Sequence, residues 1–219
     1  MIRAVSIDLD GTLVPGTSTC SHLAKALGRS AAMNELERAY ARGVISNSQV
    51  ADEDGPGYAG RTKRELQAHL ATLPVIAGAK ETIKALKDAG LAVFLGTVTW
   101  KFIAEYYQAE YGFDAASGVE MGEDGHDKLT GKVTRHFDED DKVRFVEGLC
   151  AARGIAFSEC AAVGDSRSDI PLFRRVGLSI AFNATPEAKA AASVSLHGRD
   201  FSIVLPHLFE RVSAAPTSR

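Results

Sequence analysis

Cysteine is scarce in this chain: Cys20, Cys150 and Cys160 are its only three among 219 residues. Their number is odd and no CxxC spacing occurs, so neither a disulfide framework nor a zinc site is signalled, and reduced thiols are expected. A surplus of either charge is also missing. Twenty-five Lys and Arg stand against 28 Asp and Glu, for a net charge of −3. That balance gives no footprint for nucleic acid and no polybasic anchor for anionic lipid. Long apolar runs are absent too, the longest being Leu91 to Leu95. Nothing here spans a bilayer, and Arg3 and Asp8 interrupt the stretch where a signal peptide needs its apolar core, so a cytoplasmic protein without a membrane partner is expected. What is present is a chain long enough to bury about 70% of its unfolded surface.

The pattern along the chain changes twice. Residues 2–7 form a short β-rich run that stops at Asp8-Leu9-Asp10-Gly11-Thr12, where acids and turn formers replace apolar residues. From Val14 to Ile76 apolar residues recur at helical spacing (Leu23, Ala26 and Leu27, then Met33, Leu36 and Tyr40, then Leu66, Leu70 and Leu73) with no convincing strand among them. Within that unit Ala51 to Gly60, rich in acids, Gly and Pro, reads as a loop. After Pro74 helix and strand alternate. Ala79, Ile83 and Leu86 lie on one face of a helix that Gly90 caps, 91–95 reads as a strand covered on both faces, 100–111 as a helix and 119–134 as a hairpin turning at Gly122-Glu123-Asp124-Gly125. A helix over 141–153, strands at 161–163, 178–182 and 194–196, and a helix over 186–192 complete the pattern, with Ser213 to Arg219 expected to fray. The alternation predicts an α/β fold, a parallel sheet sandwiched by helices.

In open parallel sheets reactive groups sit just outside the carboxyl ends of the strands. Four polar features fall at such places: Asp8 with Asp10, Thr97, Lys142 at a helix start, and Asp165 with Asp169. Each has a plainer reading. Asp-x-Asp-Gly-Thr is also a good turn, Thr97 an ordinary strand-end hydroxyl, Lys142 a solvated partner for Asp138 to Asp141, and Asp165 or Asp169 a helix cap. Their order along one alternating chain argues for a shared purpose. Carboxylates this close repel unless a cation intervenes, and a hard divalent ion such as magnesium takes oxygen ligands. With Asp8 free to attack phosphorus, Lys142 and the Thr97 hydroxyl would hold the equatorial oxygens of a transferring phosphoryl group.

These four segments resemble, in order, the motifs of the haloacid dehalogenase superfamily: Asp8-Leu9-Asp10-Gly11-Thr12-Leu13-Val14, Thr97, Lys142 and Gly164-Asp165-Ser166-Arg167-Ser168-Asp169. The texture of residues 78–87, 128–133 and 142–165 is similar to its phosphoserine phosphatase-like branch. The resemblance implies a Rossmann-like doubly wound core over 1–13 and 77–219, with a small helical cap, 14–76, inserted between the first two motifs. It implies Asp8 as the nucleophile that forms an aspartyl-phosphate, Asp10 as the acid/base, and Thr97 and Lys142 as phosphate ligands. Mg2+ would be held by Asp8, the Asp10 backbone carbonyl and Asp165, with Asp169 in support. The implied activity is hydrolysis of a small-molecule phosphomonoester by a monomer or homodimer. Transfer to an alcohol acceptor uses the same residues and stays open. A phosphorylatable receiver-type module fits poorly, because it lacks the inserted helical unit.

Two departures bear on substrate. Phosphoserine phosphatases carry a cap glutamate shortly after the first motif to read the substrate amine, whereas Gly16-Thr17-Ser18-Thr19-Cys20 holds no acid. They also carry a cap arginine for the carboxylate, where this chain has Gln49-Val50-Ala51-Asp52-Glu53-Asp54. A substrate other than L-phosphoserine, neutral or cationic in its alcohol part, is therefore expected. Thr17, His22, Asp52, Asp54, Tyr58 and Arg61 are the cap residues from which its recognition is expected to come.

Overall fold

The computed structural model describes residues 1–210, so the fraying expected over Ser213–Arg219 lies outside the described residues. Its strands are β1 (Ala4–Ile7), β2 (Ala92–Leu95), β3 (Ala115–Ala116), β4 (Glu120–Glu123), β5 (Leu129–Arg135), β6 (Cys160–Gly164), β7 (Leu178–Phe182) and β8 (Val194–Leu196). Six of them form one sheet in the order β3-β2-β1-β6-β7-β8, with every neighbouring pair parallel. The order reverses direction on either side of β1, which makes the carboxyl edge there a topological switch point.

The helices are α1 (Thr19–Ala26), α2 (Ser30–Ala41), α3 (Asn47–Asp54), α4 (Lys63–Leu70), α5 (Ala79–Asp88), α6 (Lys101–Tyr111), α7 (Glu139–Ala151), α8 (Ile170–Phe173), α9 (Pro186–Ala191) and α10 (Leu205–Phe209). Side chains alternate across the sheet and build two apolar layers. Val5 and Ile7 pack with Ile83 and Leu86 of α5, Ile103 and Tyr107 of α6, and Leu208 of α10. On the opposite face Ala4, Cys160 and Ala162 pack with Val143 and Val146 of α7 and with Leu172 of α8. This is the two-sided burial that a parallel sheet requires. Among the described residues no helix is long and apolar enough to cross a membrane.

Helices α1 to α4 occupy the segment between β1 and β2, as the helical spacing predicts. The Ile76 N–H donates to the Leu13 carbonyl at 2.9 Å, so the segment leaves and rejoins the core at adjacent points. One expectation needs correction: Ala51 to Gly60 is not a loop throughout. Ser46 and Gln49 form a reciprocal capping box that starts α3, which runs through Asp54. Acidic residues weaken a helix far less than Gly or Pro, so the helix ends only where Gly55-Pro56-Gly57-Tyr58 tightens into a 3₁₀ turn. The hairpin of β4 and β5 forms as expected, but it turns over Asp124–Lys128, where the Asp124 carboxylate accepts the His126 and Lys128 N–H groups. Gly122 lies inside β4 instead. The hairpin reaches the helical segment: the Gly60 N–H donates to the Leu129 carbonyl and the Leu129 N–H to that of Arg61, both at 2.8 Å.

Candidate active site

Each polar feature read from the sequence sits where a strand or helix end holds it. Asp8 follows β1 with its N–H donated to the Val163 carbonyl of β6 at 2.9 Å. Three residues on, the chain turns sharply at Gly11, whose φ is +86°. A Cβ there would lie 2.1 Å from Asp165 Oδ2, so glycine is required both by conformation and by the approach of the Asp165 carboxylate. Lys142 lies in the first turn of α7, where the Asp138 carboxylate caps the Asp140 and Asp141 N–H groups. The helix thereby starts with its acids outward and Lys142 turned into the core, only 1% exposed. The solvated reading of Lys142 is thus excluded.

Lys142 Nζ donates to Asp8 Oδ1 at 2.8 Å and to Asp169 Oδ1 at 2.6 Å, an ammonium shared by two buried carboxylates. Burial by itself would lower the lysine, but Asp169 and Asp8 outweigh it and hold the ammonium above its ordinary range. Asp169 also accepts the N–H groups of Asp165 and Ser166 at 3.0 and 3.2 Å, tying the loop after β6 to the ammonium. Gly164 permits this contact, because a Cβ there would lie 2.1 Å from Asp169 Cγ. Burial, with the charge of Asp169, raises Asp8 to about 7 even with Lys142 beside it. Asp165 is raised further, to about 9, by burial and then by Asp8 and Asp169.

Asp8, Asp165 and Asp169 each offer an oxygen, all within 4.8 Å of one another. Three carboxylates share a single ammonium, and Lys142 bonds only two of them. Among the described residues the Asp165 carboxylate accepts only from the Thr12 hydroxyl, at 3.4 Å. An all-oxygen set with unneutralised charge is what a hard divalent cation takes, so these residues fit magnesium. Asp10 is expected to offer its backbone carbonyl, which leaves its carboxylate for other work. The Asp10 carboxylate is turned away and accepts the Thr19 N–H at 2.7 Å and the Thr19 hydroxyl at 3.0 Å. Burial raises Asp10 to about 6 against the lowering effect of those two bonds. Thr97, buried after β2, is braced by Ser117, whose hydroxyl accepts the Thr97 N–H at 2.9 Å and donates to its carbonyl at 2.7 Å.

Asp8, Asp10 and Thr97 open onto one cleft of about 140 Å³ between the sheet edge and helices α1 to α3. That volume is below the roughly 300–1,000 Å³ of sites for drug-sized ligands and suits a small one. Of the six residues singled out for recognition, only Asp54 lines it. Tyr58 is fully buried behind the wall, edge-on to Trp100 and Phe102. His22 bonds the His69 carbonyl and the Thr72 hydroxyl, and exposed Asp52 pairs with His136 at 2.9 Å. Thr17 and Arg61 are exposed. Sequence reasoning missed Ser18, Met33, Glu37, Tyr40 and Asn47, which do line the cleft. The 33, 37, 40 spacing on one face of α2 was the available signal.

A parallel sheet of this order, with carboxylates, a hydroxyl and a buried lysine gathered at its switch point, defines a class, and the chain belongs to the haloacid dehalogenase-like hydrolases. The model of that family matches residues 5–174. Within it, the chain is 31% identical over 195 residues to the phosphoserine phosphatase of Archaeoglobus fulgidus, covering 89% of this chain but spanning only 56% of that protein's length. It is 26% identical over 208 residues to the phosphoserine phosphatase of Methanocaldococcus jannaschii, covering 94% of this chain and 97% of that one. Among solved structures, a phospho-aspartyl intermediate analogue of phosphoserine phosphatase superposes with a TM-score of 0.83 at 25% identity, over 94% of this chain and 99% of that one.

Proposed function

We propose that this chain is a magnesium-dependent phosphomonoesterase that works through an aspartyl-phosphate on Asp8 and acts on a small phosphorylated metabolite other than L-phosphoserine. The observation that carries the reading is the buried Lys142 ammonium held between Asp8 and Asp169, directly behind a cleft that Asp8, Asp10 and Thr97 line. Lys142 binds one Asp8 oxygen, which orients the other for in-line attack on phosphorus. The bond from phosphorus to the alcohol oxygen breaks, and Asp10 gives that oxygen its proton. Asp10 then takes a proton from water as the water attacks the phosphoryl group on Asp8, which returns the carboxylate. A value near 6 leaves both forms of Asp10 accessible near neutral pH, as this double duty needs. Thr97 and Lys142 hold phosphoryl oxygens. Magnesium, held by Asp8 and Asp165 with the Asp10 carbonyl and Asp169 supporting, would neutralise charge that develops on the phosphoryl oxygens. Residues 14–76 act as the cap that excludes water from this chemistry.

Charge supports a substrate other than L-phosphoserine: among the described residues no Lys, Arg or His lines the cleft to pair with a substrate carboxylate. Chelation tests the metal reading. Protein treated with EDTA should lose p-nitrophenyl phosphate hydrolysis and regain it with added magnesium; turnover indifferent to chelation would contradict the proposal.

A further inference from the structure

The charges in the cleft are unevenly matched, and the mismatch points to the substrate's alcohol half. Its lining holds four carboxylates, Asp8, Asp10, Glu37 and Asp54. Asp8 is bonded to Lys142, and Asp10 is held by Thr19. Asp54 is 1% exposed and already satisfied, accepting from Arg29 at 3.1 Å and from Trp100 Nε1 at 2.9 Å. Arg29 is in turn committed to Asp54 and lies over the Tyr58 ring. Glu37 is different. It is half-buried on α2, no described residue forms an ion pair with it, and its one described partner is the neutral Ser18 hydroxyl. Ser18 accepts the Ser21 N–H with the same oxygen at the start of α1, so its proton is directed at Glu37 and the carboxylate is held in place.

The surroundings of Glu37 suit a cation with a carbon skeleton. Met33 and Tyr40, one turn to either side on the same helix face, line the cleft with Val50, Val98 and Trp100. Apolar walls strengthen a charge pair and offer nothing to a second anion. Two neighbouring polar groups are committed: the Tyr40 hydroxyl donates to Glu139 at 2.8 Å, and the Asn47 amide donates to the Val98 and Phe137 carbonyls.

We infer that Glu37 is the specificity-determining acid of this cleft and that the substrate is a phosphorylated amino alcohol without a carboxylate, its ammonium paired with Glu37 and its phosphate with Lys142 and Thr97. The inference rests on the phosphomonoesterase reading. The acid expected shortly after the first motif is thus supplied from a different helix, while no cationic reader of a carboxylate lines the cleft.

The test compares kcat/KM of the magnesium-loaded protein for phosphoethanolamine, phosphocholine, n-propyl phosphate, L-phosphoserine and phosphoglycolate, with p-nitrophenyl phosphate as the generic substrate. At least one of the two cationic esters should exceed n-propyl phosphate by about tenfold or more, and phosphoglycolate should be the poorest. In Glu37→Gln, which keeps the bond to Ser18, that ratio should collapse towards one through KM; in Glu37→Asp it should be partly retained. Turnover of p-nitrophenyl phosphate without preference for a cationic ester would overturn this inference and leave the phosphatase reading standing. A preference that survives Glu37→Gln would overturn the assignment to Glu37. No turnover of any ester, p-nitrophenyl phosphate included, would overturn both.

Discussion

The carboxyl edge of the sheet and the helical face that covers it are built on different rules. At the sheet edge the polar side chains lie within a few residues of a strand end or in a capped first helical turn, so backbone hydrogen bonds hold them: Asp8 through Val163, Asp169 through Asp165 and Ser166. On the covering face the lining side chains come from helices α1 to α3, where neighbours decide what is free and what is spent. Asp54 and Glu37 are both acids facing one cleft, yet Arg29 pairs with the first, which also accepts from Trp100, and no described cation pairs with the second. Reaction chemistry is thus set by position along the chain, and selectivity by pairing across it.

Substitutions can break this comparison on either side. The largest effect is expected at the edge: Asp8→Asn should abolish turnover while the fold persists, and residual p-nitrophenyl phosphate hydrolysis in that variant would refute the nucleophile. Lys142→Met should also inactivate, and in addition lower stability by about 3–5 kcal/mol, because two buried carboxylates lose their ammonium. Denaturant unfolding measures that loss, and an unchanged midpoint would show that the pair contributes nothing. Asp10→Asn should slow turnover by roughly a hundredfold or more, read in steady-state kcat.

The smallest effect is expected where the two regions meet. Tyr40 of α2 donates to Glu139 of α7, and the Arg167 guanidinium lies 4.5 Å above the Tyr40 ring while pairing with Glu139 at 3.3 Å. Tyr40→Phe keeps the ring and removes one hydrogen bond of this link, so stability should fall by about 1 kcal/mol. A loss of several kcal/mol would mean that the helical face is far more firmly fastened than its contacts indicate.

The same contrast explains what could be read without coordinates. Strand ends and the turn at Gly11 are local signals, so Asp8, Asp10, Thr97, Lys142, Asp165 and Asp169 stood out as polar features in a telling order, and their separate roles came from the resemblance to the family's motifs. The parallel sheet was visible for the same reason. The acid-rich stretch at 51–54 misled because composition spoke for a loop while the Ser46 and Gln49 capping box, a four-residue pattern, spoke for a helix. Glu37 escaped because its significance lies in having no cationic partner, which depends on where Arg29 and Ser18 fall in space. Thr17, His22, Asp52 and Arg61 were plausible as polar residues in the right segment, but their side chains fall outside the cleft.

The central claim is that Asp8 carries the phosphoryl group. Acid quenching of the magnesium-loaded protein during turnover, followed by peptide mass spectrometry, tests it directly. The account predicts one phosphoryl group on the peptide containing Asp8, absent in Asp8→Asn. A phosphoryl group found on another residue, or a peptide that stays unmodified throughout turnover, would contradict it.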